Sequence, residues 1–405
     1  MNILVLNCGS SSAKYKLIEV KHNHTLAEGG VEKIGLSDAF IKVKMNDGSK
    51  KDIPLNITDH IGAIKAILDT LTSPEYGCIK SFDEIDAVGH RVVHGGEKFS
   101  KSVLITPEVK AMIKECYPIA PLHNPVNMMG IEAIDHVLPN VPQVVVFDTA
   151  FHQTMPAKAF MYALPMKYYT EDHVRRYGFH GTSHRYVSRR VCDVLGVPYK
   201  EQKIICCHIG NGASISAVMN GKSIDTTMGL TPVEGLMMGT RAGDVDPGAI
   251  FFLMDKHNLT TKQMSDIINK QSGLLGITGV SSDMREVFAA YHEGNERAKL
   301  ALEMYVHRII KTIGAYAAEM NGVDIIAFTG GVGENQTNTR EAVCRNLEFL
   351  GVKFDHEANE ATTRGREGLI SAPDSRVKVA VIPTDEEYMI ARDTEAIVEG
   401  REITD

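Results

Sequence analysis

The apolar positions of this chain fall into short runs that stop at glycine or serine, and their period changes along the sequence. Residues 3–6 (ILVL) form an unbroken apolar run, as a strand buried on both faces does, and the run ends at a Gly/Ser turn. KYKLIEV (14–20) and FIKVKM (40–45) alternate with the period of a strand. Residues 59–71 are spaced as a helix. IDAVGHRVVHGG (85–96) reads as a strand running into a polar loop, and VPQVVVFD (141–148) as a buried strand that ends on an acid. Pro107 and Pro125 follow Thr106 and Asn124, so each pair predicts an N-cap with proline at the first helical position.

In the second half, KIICCHIGNGASISAVM (203–219) reads as strand, glycine turn and strand. Asp246-Pro247 opens a helix through about residue 256. Residues 295–320 make a long helix, apolar at 302, 305, 306, 309, 313 and 316. DIIAFTGGVGEN (324–335) is a strand, a glycine loop and a helix start. VKVAVIPTDEE (377–387) is one more strand, with a final helix after it.

The pattern repeats. ILVLNCGSSSAK (3–14) and IICCHIGNGASI (204–215) share one plan: apolar strand, polar residue, apolar residue, Gly, small residues. Asn7 falls opposite His208, and Gly9 opposite Gly210. A repeat of this length predicts two related α/β domains, not a solenoid. The bland alternative is that strand–glycine–strand hairpins are common. Length agrees with duplication, since 405 residues exceed one ordinary core.

Composition narrows the classes. A net charge of −8 with interspersed signs disfavours nucleic acid or an anionic membrane as the main partner, while leaving room for a local anion site. No stretch approaches the ~18 apolar residues of a membrane span. MNILVLNCG lacks a basic n-region and is not read as a signal peptide. Seven cysteines with no CxxC pair disfavour disulfides and structural zinc, which predicts a reducing cytoplasm.

The candidate chemistry lies at the strand ends. Glycine/serine loops at 9–12, 210–214 and 330–333 can bring backbone N–H groups close around phosphate oxygens. None matches GxxxxGK[ST]. Gly9 to Lys14 lacks the second glycine, which disfavours a P-loop. Arg91, His94, His180 and Arg241 stand in glycine-rich or apolar surroundings, where cations suit small anions. Each alone reads equally well as a solvated surface residue. His184 and Arg185 are read as structural residues of the helix that follows His180. Asp148 ends a buried strand, where a carboxylate suits an active-site crevice, a helix cap or a buried ion pair. Glu386 and Glu387 suit magnesium, and equally the first turn of a helix.

Taken together these segments closely resemble the acetate kinase family. The likeness runs from LVLNCGSSSAK through GHRVVHGG, PLHNP, VVFDTAFH, RRYGFHGTSH, HIGNGAS, MGLTPVEGLMMGTRAGDVDP, ITGVSSDMRE and FTGGVGEN to VIPTDEE. The resemblance implies two duplicated actin-like (ribonuclease H-like) domains with a nucleotide cleft between them. The first would be 1–150 plus 386–405, and the second, 151–385, would carry nucleotide and dimer contacts. It implies transfer of the ATP γ-phosphoryl group to acetate, with ADP as product. Magnesium, or manganese in its place, would be held by Asn7 and Glu386.

The same resemblance gives each matching residue a role. Lys14 would meet the phosphates. His208, Ile209, Gly210, Asn211 and Gly212 would bind nucleotide, with Asp283, Met284, Arg285, Gly331, Val332, Gly333, Glu334 and Asn335. Arg91 would bind the substrate carboxylate, His180 and Arg241 would stabilise the transferring group, and Asp148 would be the catalytic acid residue. Val93, Leu122, Phe179 and Pro232 would surround the methyl group. Relatives that take propionate carry a smaller residue at the place of Val93. A cytoplasmic homodimer is implied as well.

Physical chemistry adds one expectation. Acetate is ionised at pH 7, with a pKa near that of Glu, ~4.3, so it needs no general base. Asp148 is therefore expected to position the nucleophile or the magnesium shell. The competing readings are a propionate or other short-chain carboxylate kinase, a nucleotide-gated actin/Hsp70-like protein, and a metal hydrolase, for which no HExxH occurs.

Overall fold

A computed structural model describes residues 1–45 and 48–403. They gather into two compact units, Met1–Gln153 with Asp385–Asp405, and Thr154–Thr384. The last two residues of the expected 386–405 segment lie outside the described residues.

The first unit is built on an eight-stranded sheet. Its strands are β1 (Asn2–Gly9), β2 (Ser12–Glu19), β3 (His24–Glu32), β4 (Phe40–Lys44), β5 (Lys50–Pro54), β6 (Ala87–Val92), β7 (Val103–Leu104) and β8 (Gln143–Phe147), in the order β5-β4-β3-β2-β1-β6-β8-β7. β1 to β5 form an antiparallel meander, and β6 and β8 run parallel to β1. The unbroken apolar run of β1 follows from burial on both faces. Leu4, Leu6 and Cys8 pack with Ile64, Ile67 and Ile134 of the helices His60–Leu71 and Asn124–Val137. Ile3 and Val5 pack with Ile390 and Ala391 of the helix Glu386–Val398. Each such Leu or Ile contributes roughly 1.5–3 kcal/mol on full burial.

The second unit repeats the plan. β9 (Lys203–Ile209), β10 (Ala213–Met219), β11 (Lys222–Thr226), β12 (Ile325–Thr329), β13 (Gly368–Leu369) and β14 (Lys378–Val381) lie in the order β11-β10-β9-β12-β14-β13. That is the order β3-β2-β1-β6-β8-β7 over again, with the same strands parallel and antiparallel. Asn7 stands opposite Lys14, and His208 opposite Ser214. The repeated sheet order makes the two units duplicated α/β domains, as the hairpin repeat predicts.

Three local readings change. Thr106 caps its helix, accepting from Val109 N at 3.3 Å. Asn124 does not: its helix already includes it, and its side chain bridges the backbone of His94, to N at 3.1 Å and O at 2.8 Å. Second, GGVGEN is itself helical, Gly330–Asn335, directly after β12. Third, the helix Glu296–Glu319 buries Ala298, Ala301, Tyr305, Ile309, Ile313, Tyr316 and Ala317, while Leu302 and Val306 sit on a half-buried flank. The helix Pro247–His257 buries no residue and exposes Phe251 and Phe252. Among the described residues no helix is long and apolar enough to cross a membrane.

Candidate active site

In the first unit the charged candidates collect at the carboxyl ends of β1, β6 and β8. Arg91, in β6, grips Asp148, the residue after β8, with Nε to Oδ1 at 2.9 Å and Nη2 to Oδ2 at 2.7 Å. Asp148 is 1 % exposed. Its negative charge holds the Arg91 guanidinium well above its ordinary pKa, against the opposing effect of burial. Among the described residues nothing bonds to Arg91 Nη1. The pair therefore spends one edge of the guanidinium and leaves the Nη1/Nη2 edge to meet a second carboxylate.

The loop after β6 is pinned from below. Asn127 accepts from Val93 N at 3.1 Å and donates to Cys8 O at 2.8 Å, tying β6 to β1. Thr149 Oγ1 accepts from Gly95 N at 3.0 Å. His94 is fully buried and its Nδ1 accepts from Gly96 N, so it shapes the loop. Lys14 is exposed, Asn7 and Val93 are half-buried, and Leu122 is 72 % exposed.

Glu386 opens the last helix, whose N-cap Asp385 accepts from Tyr388 N at 3.2 Å. Burial pushes the Glu386 carboxyl up to about 7; Arg91 pulls it down, and Asp148 and Glu387 push it further up. A carboxylate crowded by other carboxylates, with an Asn amide as further donor, suits a hard divalent cation that keeps most of its waters. Asn7 and Glu386 fit that donor chemistry.

In the second unit, His180 is the N-cap of the helix Gly181–Leu195 and holds a left-handed backbone, φ 56°. A non-glycine residue there is uncommon and strained, and such strain gathers at functional sites. Its Nδ1 meets Ser214 Oγ at 2.9 Å. A Cβ built on Gly212 would lie 3.1 Å from Arg241 Nη1 and 3.8 Å from His180 Nε2. Glycine thus leaves room where two cationic or polar groups converge. Arg241 touches Pro232 O at 3.5 Å and Met238 Sδ at 3.8 Å. Burial lowers its pKa, and among the described residues no carboxylate pairs with it. A desolvated guanidinium without a counter-ion is a socket for an anion. Phe179 is buried beside His180, and Pro232 is half-buried.

The nucleotide candidates line a cavity of about 630 Å³. Gly210 and Asn211 come from the β9–β10 turn, Gly331, Val332 and Asn335 from the helix after β12, and Asp283, Met284 and Arg285 from the start of the helix Met284–His292. Asp283 caps that helix and is forked by Arg285, Nη2 to Oδ2 at 2.6 Å. Gly330 has φ 77°, and a Cβ there would lie 2.8 Å from Ile209 O, so the chain turns this tightly only with glycine.

Other named residues do not line the cavity. Ile209 is core, at 1 % exposure. His208 is buried and its Nδ1 meets Ser183 Oγ at 2.7 Å. Glu334 folds back: its Oε1 accepts from Gly330 N at 2.9 Å and from Thr329 Oγ1 and Thr384 N at 3.2 Å each. A carboxylate facing nucleotide phosphates would repel them, and here it organises the loop instead. Gly333 lies on the inner side, where its carbonyl accepts from Arg340 at 2.9 Å.

Several contributors were not singled out in the sequence. Gly239, Leu274, Ser282, Tyr305 and Gln336 complete the cavity wall. Arg340 is fully buried and spends its guanidinium on the carbonyls of Gly333, Glu334, Asn359 and Thr362 and on Asn359 Oδ1. Burial without a carboxylate partner takes its pKa down to about 10. Ser214 closes the 210–214 loop, and the observed register sets it opposite His208 as Lys14 is opposite Asn7.

Residues 2–392 match the acetokinase family. The acetate kinase of Bacteroides thetaiotaomicron is 61% identical over 97% of this chain and 98% of its own. Among solved structures, the acetate kinase of Porphyromonas gingivalis superposes with a TM-score of 0.95 at 58% identity, covering 98% of this chain and 99% of that one. A propionate kinase of Francisella tularensis superposes with a TM-score of 0.91 at 41% identity, with the same coverage.

Proposed function

The chain belongs to the acetokinase family, and on that premise we propose that it transfers the γ-phosphoryl group of ATP to acetate, reversibly, giving acetyl phosphate and ADP. The observation that carries this reading is likeness over almost the whole length to proteins named acetate kinases. The geometry of each unit supports it.

Nucleotide occupies the second unit's cavity, against the 210–212 and 331–335 loops and the Asp283-Met284-Arg285 turn. Lys14 meets the phosphates. Arg91 binds the acetate carboxylate through its Nη1/Nη2 edge, while Asp148 fixes the other edge. An acetate oxygen attacks the γ-phosphorus; the new C–O–P linkage forms as the bond to the ADP oxygen breaks, and no proton need move. His180 and Arg241 donate to the phosphoryl oxygens as their charge spreads. Magnesium, or manganese, supplies charge neutralisation when held by Asn7 and Glu386. Asp148 is a positioning residue for Arg91, because its oxygens are already committed to that guanidinium.

Val93, Leu122, Phe179 and Pro232 are the proposed apolar surroundings of the methyl group, which favours acetate over propionate. The protein is proposed to act in the cytoplasm as a homodimer. The exposed Phe251 and Phe252, at 64% and 61%, on a helix that buries nothing support a second copy there. ADP release from ATP and magnesium, followed with and without acetate, tests the reaction. Acetate should raise the rate many-fold; a rate indifferent to acetate and to other short carboxylates would favour the nucleotide-gated alternative.

A further inference from the structure

His180, His184 and His208 form a compact imidazole group, and the proposed reaction uses one of the three. The rings of His180 and His208 stack with centroids 4.2 Å apart. His184 stands 6.4 Å from His180 and 6.2 Å from His208. Ser214 joins two of them: its Oγ lies 2.9 Å from His180 Nδ1 and 2.8 Å from His184 Nε2. Ser214 and His184 are both 0 % exposed, so bulk water does not compete for these contacts.

A serine hydroxyl has one proton to give, so it donates to one ring and not to both. Three arrangements satisfy the geometry. If His180 Nδ1–H donates to Ser214, a neutral His180 turns the lone pair of Nε2 toward the Gly212 and Arg241 side, where a phosphoryl anion would be repelled. If both rings donate to Ser214, the same lone pair faces the anion unless His180 is charged. A charged His180 would stack on His208 beside the Arg241 guanidinium, and like charges at that range are costly.

We infer that His184 Nε2–H donates to Ser214 Oγ and that the Ser214 hydroxyl donates to His180 Nδ1. This relay fixes a neutral His180 in the tautomer that carries its proton on Nε2, facing the transferring phosphoryl group. His184 and Ser214 are positioning residues; the hydrogen bond at one ring nitrogen decides what the other can do. Both sit on regular elements, the helix Gly181–Leu195 and β10, which suits a contact that must not drift. His184 thereby gains a role beyond the structural one read from the sequence. The relay rests on the reading of His180 as a donor to phosphoryl oxygen.

The test is the tautomer itself, read by long-range ¹H–¹⁵N spectra of histidine-labelled, nucleotide-free protein near pH 7.5, with His180 assigned by His180→Gln. The expected result is a neutral His180 protonated on Nε2. Ser214→Ala should abolish that preference and lower kcat about ten- to hundredfold, with the KM values for ATP and acetate within about threefold of the parent. His184→Phe should match it. His184→Gln, whose side-chain amide can stand in as the donor, should recover most of the loss. If His184→Phe does not fold, the smaller Ser214→Ala change decides. A wild-type His180 protonated on Nδ1, or a Ser214→Ala enzyme with unchanged kcat and tautomer, would overturn the relay. Acetyl phosphate formation by the wild type is a separate measurement, so a failed relay and a failed functional reading are told apart.

Discussion

The two units repeat one sheet plan and put different chemistry on it. Where the first has Asn7 facing Lys14, the second has His208 facing Ser214. His90 stands opposite Leu6 as Phe328 stands opposite Cys207, so Arg91, the next residue, corresponds to Thr329. Asp148 lies three residues past Val145, and Thr384 three past Val381, and those valines pair with His90 and Phe328. The first unit therefore holds Lys, Arg and Asp where the second holds Ser, Thr and Thr. A bare carboxylate and phosphate charge call for full charges. In the proposed reaction, a nucleotide resting on glycine loops needs backbone N–H groups and neutral hydroxyls that keep those loops in shape. One scaffold, repeated, thus carries different side chains at matching strand ends.

The contrast breaks first at Arg241, a half-buried cation of the second unit. Arg241→Gln should lower kcat by about 10³–10⁵, the range for an arginine that stabilises phosphoryl transfer, with nucleotide binding nearly unchanged by calorimetry. Equal losses in binding and turnover would make it a ground-state contact.

Asp148→Asn probes the charged unit. The amide keeps one acceptor but turns N–H groups against Arg91. The KM for acetate should rise about 10–100-fold, as for a lost charged hydrogen bond, with much of kcat retained at saturation and a raised magnesium demand. A pH–rate profile that loses its acidic limb would instead assign Asp148 a proton.

His90 makes the first unit acid-sensitive. Its Nε2 meets Gln143 Oε1 at 2.7 Å, and burial pulls its pKa from 6.5 to about 4. The unfolded chain takes up that proton near 6.5 and the folded chain near 4. Its contribution is whole above pH 6.5 and is lost as pH falls toward 4, at up to about 1.4 kcal/mol per unit. His90→Gln should flatten the pH dependence of urea unfolding in this range. Parallel wild-type and variant curves would remove the effect.

The smallest effect concerns the methyl group. Val93→Ala should shift the ratio of kcat/KM for acetate over propionate about tenfold toward propionate, one methylene being worth ~1–3 kcal/mol. An unchanged ratio would sink the pocket assignment.

Strand ends and glycine loops were legible because burial on both faces writes continuous apolar runs, and tight turns write glycine. The hairpin repeat was legible too, but its register was not: the alignment sets Lys14 against Ile215, whereas Ser214 is the residue that pairs with His208. Direction was not legible. Glu334 and Ile209 share a segment with true cavity residues, and sequence spacing does not say that one folds back and the other enters the core. Asn124 looked like a cap because Asn-Pro opens a helix, yet its amide was claimed by the backbone of His94 thirty residues away. Arg340 gave no signal, because a fully buried arginine satisfied by carbonyls looks in sequence like any surface helix residue.

The central claim concerns the product. Wild-type protein with ATP, magnesium, acetate and hydroxylamine should accumulate acetohydroxamate in step with ADP, because hydroxylamine traps acetyl phosphate as it forms. ADP without hydroxamate, or hydroxamate formation that does not depend on acetate, would contradict the account.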